Sequence, residues 1–266
     1  MGIRQHEKRR STTLVAAWLA FIVTMPGYPA AAQTNVGVAP RARLASLAPV
    51  GEQQRGLWVT RYGEGGPSFN VDEVIFRPWT RGLFEARQQH DLEPHARCKA
   101  SGGVRQFLTP YGVEFVEIKE LQRLYIFDIG GPHTFREVFM DGRSHPANPV
   151  PSNYGHNVGW WEGNTLVLDS VGYNESFWFE RMGLPHTESV HVTEYITRTD
   201  AQTLEYRFVM VDPVAYETPV EGRLTMTWRV GDELFEYICQ QQNYAFELMV
   251  NPDALRAFGR TSNIVP

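Results

Sequence analysis

Four of the eight histidines in this chain, His145, His156, His186 and His191, fall in one stretch with Asp141, Arg143, Glu188 and the pair Trp160-Trp161. Imidazoles and carboxylates gathered this closely can move protons or hold a metal, and indoles can stack on a flat ligand. The stretch runs from residue 141 to 195 and is broken by tight turns. It contains no motif in which each residue has an assigned role, so it names a place and a range of chemistries rather than a substrate.

Within it, Asp141-Gly142-Arg143 reads as a turn in which Asp caps local amides and Arg143 forms an ion pair, or as part of a ligand site. His145 precedes Pro146, which holds it extended and can aim its ring into a site; a lone His is more often hydrogen-bonded packing. His156 follows Gly155 and opens a strand carrying Gly159, Trp160 and Trp161, where small neighbours let a ligand approach. The two tryptophans point to opposite faces of that strand, so one of them can line an interior. Glu162-Gly163-Asn164 reads as the hairpin turn that ends it. His186, Glu188 and His191 form a second group, with Glu188 placed to orient an imidazole as general acid or base. His191 shares a face with Thr193 and Tyr195, a semi-polar strip suited to a wet cavity. The expected division of labour has His156 or His191 carry the proton, with His186 and Glu188 completing the catalytic set. Trp160, Trp161, His145, Tyr195, Asp141 and Arg143 then contact substrate.

Other chemistries find no support. The spacing of His186, Glu188 and His191 matches neither a helical two-His pair nor a closed structural zinc site, so the expectation is no cofactor, with a divalent metal as the alternative. A nucleophile elbow and a Gly-rich nucleotide loop are both missing from the sequence.

The first 32 residues resemble a secretory signal. Arg4, Lys8, Arg9 and Arg10 precede an uncharged run from Leu14 to Met25, and Ala30-Ala31-Ala32 offers a cleavage site. The run is about a dozen residues, against the ~20 that a spanning helix needs. Cleavage near Ala32 would deliver a periplasmic or extracellular protein without a stable membrane span. The leader holds four Lys/Arg and one Glu; 21 basic and 29 acidic residues remain after it, a net charge of −8. A chain of that sign lacks the basic surface that nucleic acid requires. Only Cys98 and Cys239 are present, and an even pair in an exported chain reads as a disulfide. Closing a loop of roughly 140 residues would be worth about 5 kcal/mol in the chain-entropy picture.

The elements that must position these side chains follow from periodicity. Residues 33–55 lack any period and read as a flexible lead-in, and residues 56–266 as a single β-rich domain. Thr80–Gln89 suits a short amphipathic helix. Leu204, Tyr206, Phe208 and Met210 alternate with polar residues, as do Leu224, Met226, Trp228 and Val230, which is the period of half-buried strands. Further strands are expected in 121–129, 135–140 and 165–169. Turn signals separate successive strands, so an all-β fold is expected: an antiparallel up-and-down barrel or strongly curved sheet of calycin/lipocalin type, with a two-sheet sandwich as the alternative. Residues 173–185 form a long aromatic connection that reads either as a lid or as packing over the core.

The chain also resembles a widespread family of secreted bacterial proteins, on three motifs in order. These are Asp141-Gly-Arg-Ser-His-Pro146, then Gly155-His-Asn-Val-Gly-Trp-Trp-Glu-Gly-Asn-Thr-Leu-Val-Leu-Asp169, then Pro185-His-Thr-Glu-Ser-Val-His191. Asn157, Asn164 and Val190 stand where the family pattern has Ser, Asp and Leu. The resemblance implies a secreted β protein and brings no mechanism with it.

Two functions fit these readings. One is an exported lyase, isomerase or hydrolase that uses His and carboxylate groups on a small sugar-derived or aromatic molecule. The other is a non-catalytic, lipocalin-like binder of a small ligand.

Overall fold

The computed structural model describes residues 47, 56–63, 66–89, 93–128 and 134–239, all within one compact unit, Gly37–Pro266. The expected leader, the lead-in apart from Leu47, and the chain beyond Cys239 lie outside the described residues. Among the described residues no helix is long and apolar enough to cross a membrane.

The fold is a closed β barrel. In chain order its elements are β1 (Gly56–Thr60), β2 (Ser68–Phe69), α1 (Pro78–Gln89), β3 (Val113–Ile118), β4 (Arg123–Asp128), β5 (Phe135–Phe139), β6 (His156–Glu162), β7 (Thr165–Val171), β8 (His191–Arg198), β9 (Thr203–Val211) and β10 (Val220–Val230). Strands β3 to β10 follow one another around the sheet, β1 joins β10 to β3, and β2 is an extra pairing on β10. The β1–β10 register is continuous from Gly56↔Val230 to Thr60↔Met226, but β1 meets β3 through Trp58↔Val113 alone.

Period-two burial drives the closure. Along β9 the buried residues are Leu204, Tyr206, Phe208 and Met210, while Glu205 and Arg207 face solvent. Along β7 the inward set is Leu166, Leu168 and Ser170. The inward side chains merge into one core with Trp58, Ile126, Val138, Trp161 and Met226, so the barrel interior is packed rather than hollow. The short helix Gly103–Leu108 and the segment around Tyr173, Phe177 and Phe179 join the same core. That connection is therefore packing: Tyr173, Phe177 and Phe179 are all within 2% of full burial, and Trp178 is half-buried. Leu47, in the expected lead-in, is also buried, and its carbonyl accepts a hydrogen bond from Trp58 Nε1 at 3.0 Å.

Helix α1 starts at Pro78, whose fixed φ suits the first helical position. Thr80 fixes the helix to the barrel by donating to the Ala215 carbonyl, and Trp79 donates to that of Val214. The disulfide forms between Cys98 and Cys239, which are 141 residues apart.

One pairing departs from up-and-down order. β5 and β6 run parallel, Val138↔Asn157 and Phe139↔Val158. A parallel neighbour cannot be reached by a hairpin and needs a crossover of a dozen or more residues, and residues 140–155 supply it. This strap carries Asp141, Arg143 and His145 across the outside of the barrel.

The interior holds a buried ion pair that the packing must accommodate. Arg136 on β5 is fully buried, and its guanidinium donates to both carboxylate oxygens of the equally buried Glu194 on β8. Its remaining N–H groups reach Asn157 Oδ1 on β6 and Ser170 Oγ on β7, each at 2.8 Å, and Tyr206 on β9 donates to Glu194 at 2.7 Å. Removing one member leaves the other charged and unpaired. The Arg136→Met variant should lose about 3–5 kcal/mol in a urea titration, and adding Glu194→Leu should recover most of it, since an apolar pair tolerates burial.

Candidate functional site

Inward residues on β5 to β8 alternate with outward ones, so the neighbours of the buried network face out. His156 precedes Asn157, Asp169 precedes Ser170, and Thr193 precedes Glu194. In the sheet register Asp169 lies opposite Thr193, and His156 opposite Val171. His191 opens β8 on the same outer face. The strap above them contributes His145.

These side chains make one continuous chain. His156 Nδ1 lies 2.7 Å from His145 Nδ1; His145 Nε2 lies 3.2 Å from Asp169 Oδ2; His191 Nε2 lies 2.5 Å from Asp169 Oδ1. Thr193 adds a bond to the same carboxylate oxygen at 3.3 Å. Burial alone would raise the Asp169 carboxyl, but the bonds from His145 and His191 outweigh it and hold the group well below the usual carboxylate range. Asp169 is thus an ion that only accepts, and both Nε2 atoms must donate to it. In a neutral His145 ring, Nδ1 then accepts from His156 Nδ1–H, which leaves His156 Nε2 as a free base. Of the two end rings, His191 is pushed up by its bond to Asp169, whereas burial, then His145 and Arg143, push His156 down.

The surroundings are aromatic and charged. His156 stacks on Phe139 with ring centroids 4.9 Å apart. Arg123 and Arg143 both lie over the Phe139 ring, at 4.2 and 4.1 Å. Asp141 pairs with both arginines, and its bond from Arg143 lowers its carboxyl to about 2. Asp141-Gly142-Arg143 is therefore the ion-paired turn that one reading of the sequence expected.

The structure brings some expected site residues together and separates others. His156 and His191 share a face, His145 and His191 share a carboxylate, and His145 links His156 to it. The carboxylate is Asp169; Glu188 sits in an exposed turn, and its side chain makes no hydrogen bond among the described residues. His186 is not beside them: it is buried against Phe177 and Phe179 and bonds through Nε2 to the Asn174 carbonyl. Trp161 points into the core, while Trp160 lies outside and donates to Glu162. Tyr195, two residues beyond Thr193, faces out under the Arg207 guanidinium. The strip of His191, Thr193 and Tyr195 is real, but it lines the outer surface, not an internal cavity. Among the described residues, no three His, Cys, Asp or Glu side chains converge in a way that could hold a metal ion.

Asp169 is the member of this cluster that the sequence does not single out. Its signal was a lone carboxylate ending the apolar run Thr165-Leu-Val-Leu, on the face opposite Leu166 and Leu168. Comparison with family models, with curated proteins and with solved structures finds no match.

His186 offers a test of its structural role. Burial pushes its ring down to about 4, whereas an unfolded imidazole titrates near 6.5. The unfolded state therefore binds more protons between those values, and His186 costs stability as pH falls through that window, by up to about 3 kcal/mol. Asp128, pushed up to about 7 by burial, acts in the opposite sense over the same range. The comparison is thus between variants: His186→Gln should lose less stability than the wild type from pH 7 to 4.5 in denaturant titrations. An equal loss would contradict a buried neutral ring.

Proposed function

We propose that this is an exported acid–base enzyme acting on a small molecule at the outer face of β6 to β8, with His156 as base and His191 as acid. One observation carries the reading: a single carboxylate is shared by two imidazoles, and a third ring extends the chain. The carboxylate favours the charged form of His191, while burial, His145 and Arg143 favour the neutral form of His156, so the two end rings lean towards opposite protonation states. That division is what a proton-transfer site needs.

The outer location follows from packing, because the inward positions are filled by core side chains. β6 and β8 are separated by β7, so the backbones of His156 and His191 lie about 10 Å apart, two strand spacings, with Val171 between them. That gap suits a small ring or chain, and Trp160 and Tyr195 further along the same face offer aromatic surface to a sugar-derived or aromatic substrate. Export is supported by the N-terminal segment and by the disulfide.

The protonation states can be read without a substrate. In ¹⁵N-resolved NMR, His156 should appear at pH 7 as the neutral Nδ1–H tautomer, and His191 should keep its proton to a higher pH than His156. Asp169→Asn should bring His191 down. A His191 that titrates below His156 would overturn the assignment. Sugar-derived and aromatic compounds can then be screened by thermal shift and assayed for turnover. For a compound that reacts, His156→Ala and His191→Ala should each lower kcat by roughly 10²–10⁴. Wild-type turnover in both variants would remove the catalytic roles.

A further inference from the structure

His145 is the one link in the chain that the barrel does not carry. It rides on the strap, whose ends are fixed elsewhere: Asp141 pairs with Arg123 of β4 at 3.2 Å, and Ser152 N donates to the Gly172 carbonyl at 3.0 Å. Pro149 covers Gly172, where a φ of +72° and the proline ring leave no room for a Cβ. Among the described residues, the hydrogen bonds that tie residues 144–149 to the barrel are those of His145.

The contact between the two Nδ1 atoms, at 2.7 Å, has room for one proton. A first added proton enters at His156 Nε2 and leaves the shared one in place, so the bond becomes charge-assisted and tightens. A second must go onto His145 Nδ1. Each ring then presents an N–H to the other, neither has a lone pair, and the bond cannot exist.

The surrounding charge works in the same direction. The groups facing the pair are Arg123 on β4, Glu137 on β5, Asp141 and Arg143 on the strap, Asp169 on β7 and His191 on β8. With His145, His156 and His191 all charged, five cationic groups face three carboxylates. We propose that the middle of the strap, residues 144–148, forms a proton-operated latch, docked while the His145–His156 pair carries at most one positive charge and released when both rings are charged. Release would open the Asp169 region and break the chain between β6 and β7, so acid would disconnect the site without unfolding the barrel. The latch rests on the hydrogen-bond geometry alone and stands or falls separately from the catalytic reading.

The two native cysteines are joined, so introduced thiols can be labelled selectively. Spin labels at Ala147→Cys on the strap and Glu205→Cys on β9, both exposed positions, report the distance between strap and barrel by double electron–electron resonance. Circular dichroism follows the fold in parallel. One narrow distance is expected at pH 8, with a broad second population growing reversibly below about pH 6, under the ordinary imidazole value. His156→Gln removes the second charge and should keep the distance narrow at pH 4.5. His145→Arg/His156→Arg, charged at every pH, should show the broad population already at pH 7.5. A narrow distance in that double variant, or broadening that persists in His156→Gln, would overturn the latch.

Discussion

The buried pair of Arg136 and Glu194 is the constraint on which the rest of the barrel wall depends. Two charges removed from water are tolerated only when each hydrogen-bonding site finds a partner. Here the guanidinium draws its partners from β6, β7 and β8, and Glu194 draws one more from β9. A slip of one residue in any of these strands would turn its polar member outward and strand the charge inside. Hydrophobic alternation alone permits several registers; the buried network selects one.

That selection is also what places the outer chain. Because side chains alternate, each residue locked inward holds its neighbour outward: Asn157 sets His156, Ser170 sets Asp169 and Glu194 sets Thr193. The groups that could do chemistry are thus held in place by groups that never meet solvent. The outer face pairs ion-forming imidazoles with an anion in partial contact with water, a setting in which protonation can change at modest cost. The inner face is dry, and a change of charge there would be ruinous.

Much of the architecture was legible because it rests on period two. β9 follows the alternation of Leu204 to Met210, and the β6–β7 hairpin sits at Gly163, where φ is +60°. The opposed faces of Trp160 and Trp161 were equally readable. The parallel join of β5 and β6 was not, since residues 140–155 carry turn residues that would suit any connection. The candidate site was half legible for the same reason: His156, His191 and His145 stand out by type, but the carboxylate that His145 and His191 share depends on which strands are neighbours. Glu188 is the carboxylate near these histidines in sequence, whereas the proximity of Asp169 across the sheet leaves no local trace. His186 shows the converse, a reactive side chain type used as packing among aromatic rings.

The seam of the barrel bears on how the chain must be assembled. Among the described strands β1 is the first to be made, yet its continuous partner is β10, the last of them, and its link to β3 is a single residue pair. Throughout synthesis this apolar strand, with Leu57, Trp58 and Val59, has no ladder to join. Closure is therefore a terminal event of high contact order, and a growing chain carries an unpaired sticky edge until its final strand arrives. Cys239 lies just after that strand, so the covalent bond to Cys98 can form only once the circle is ready to be locked.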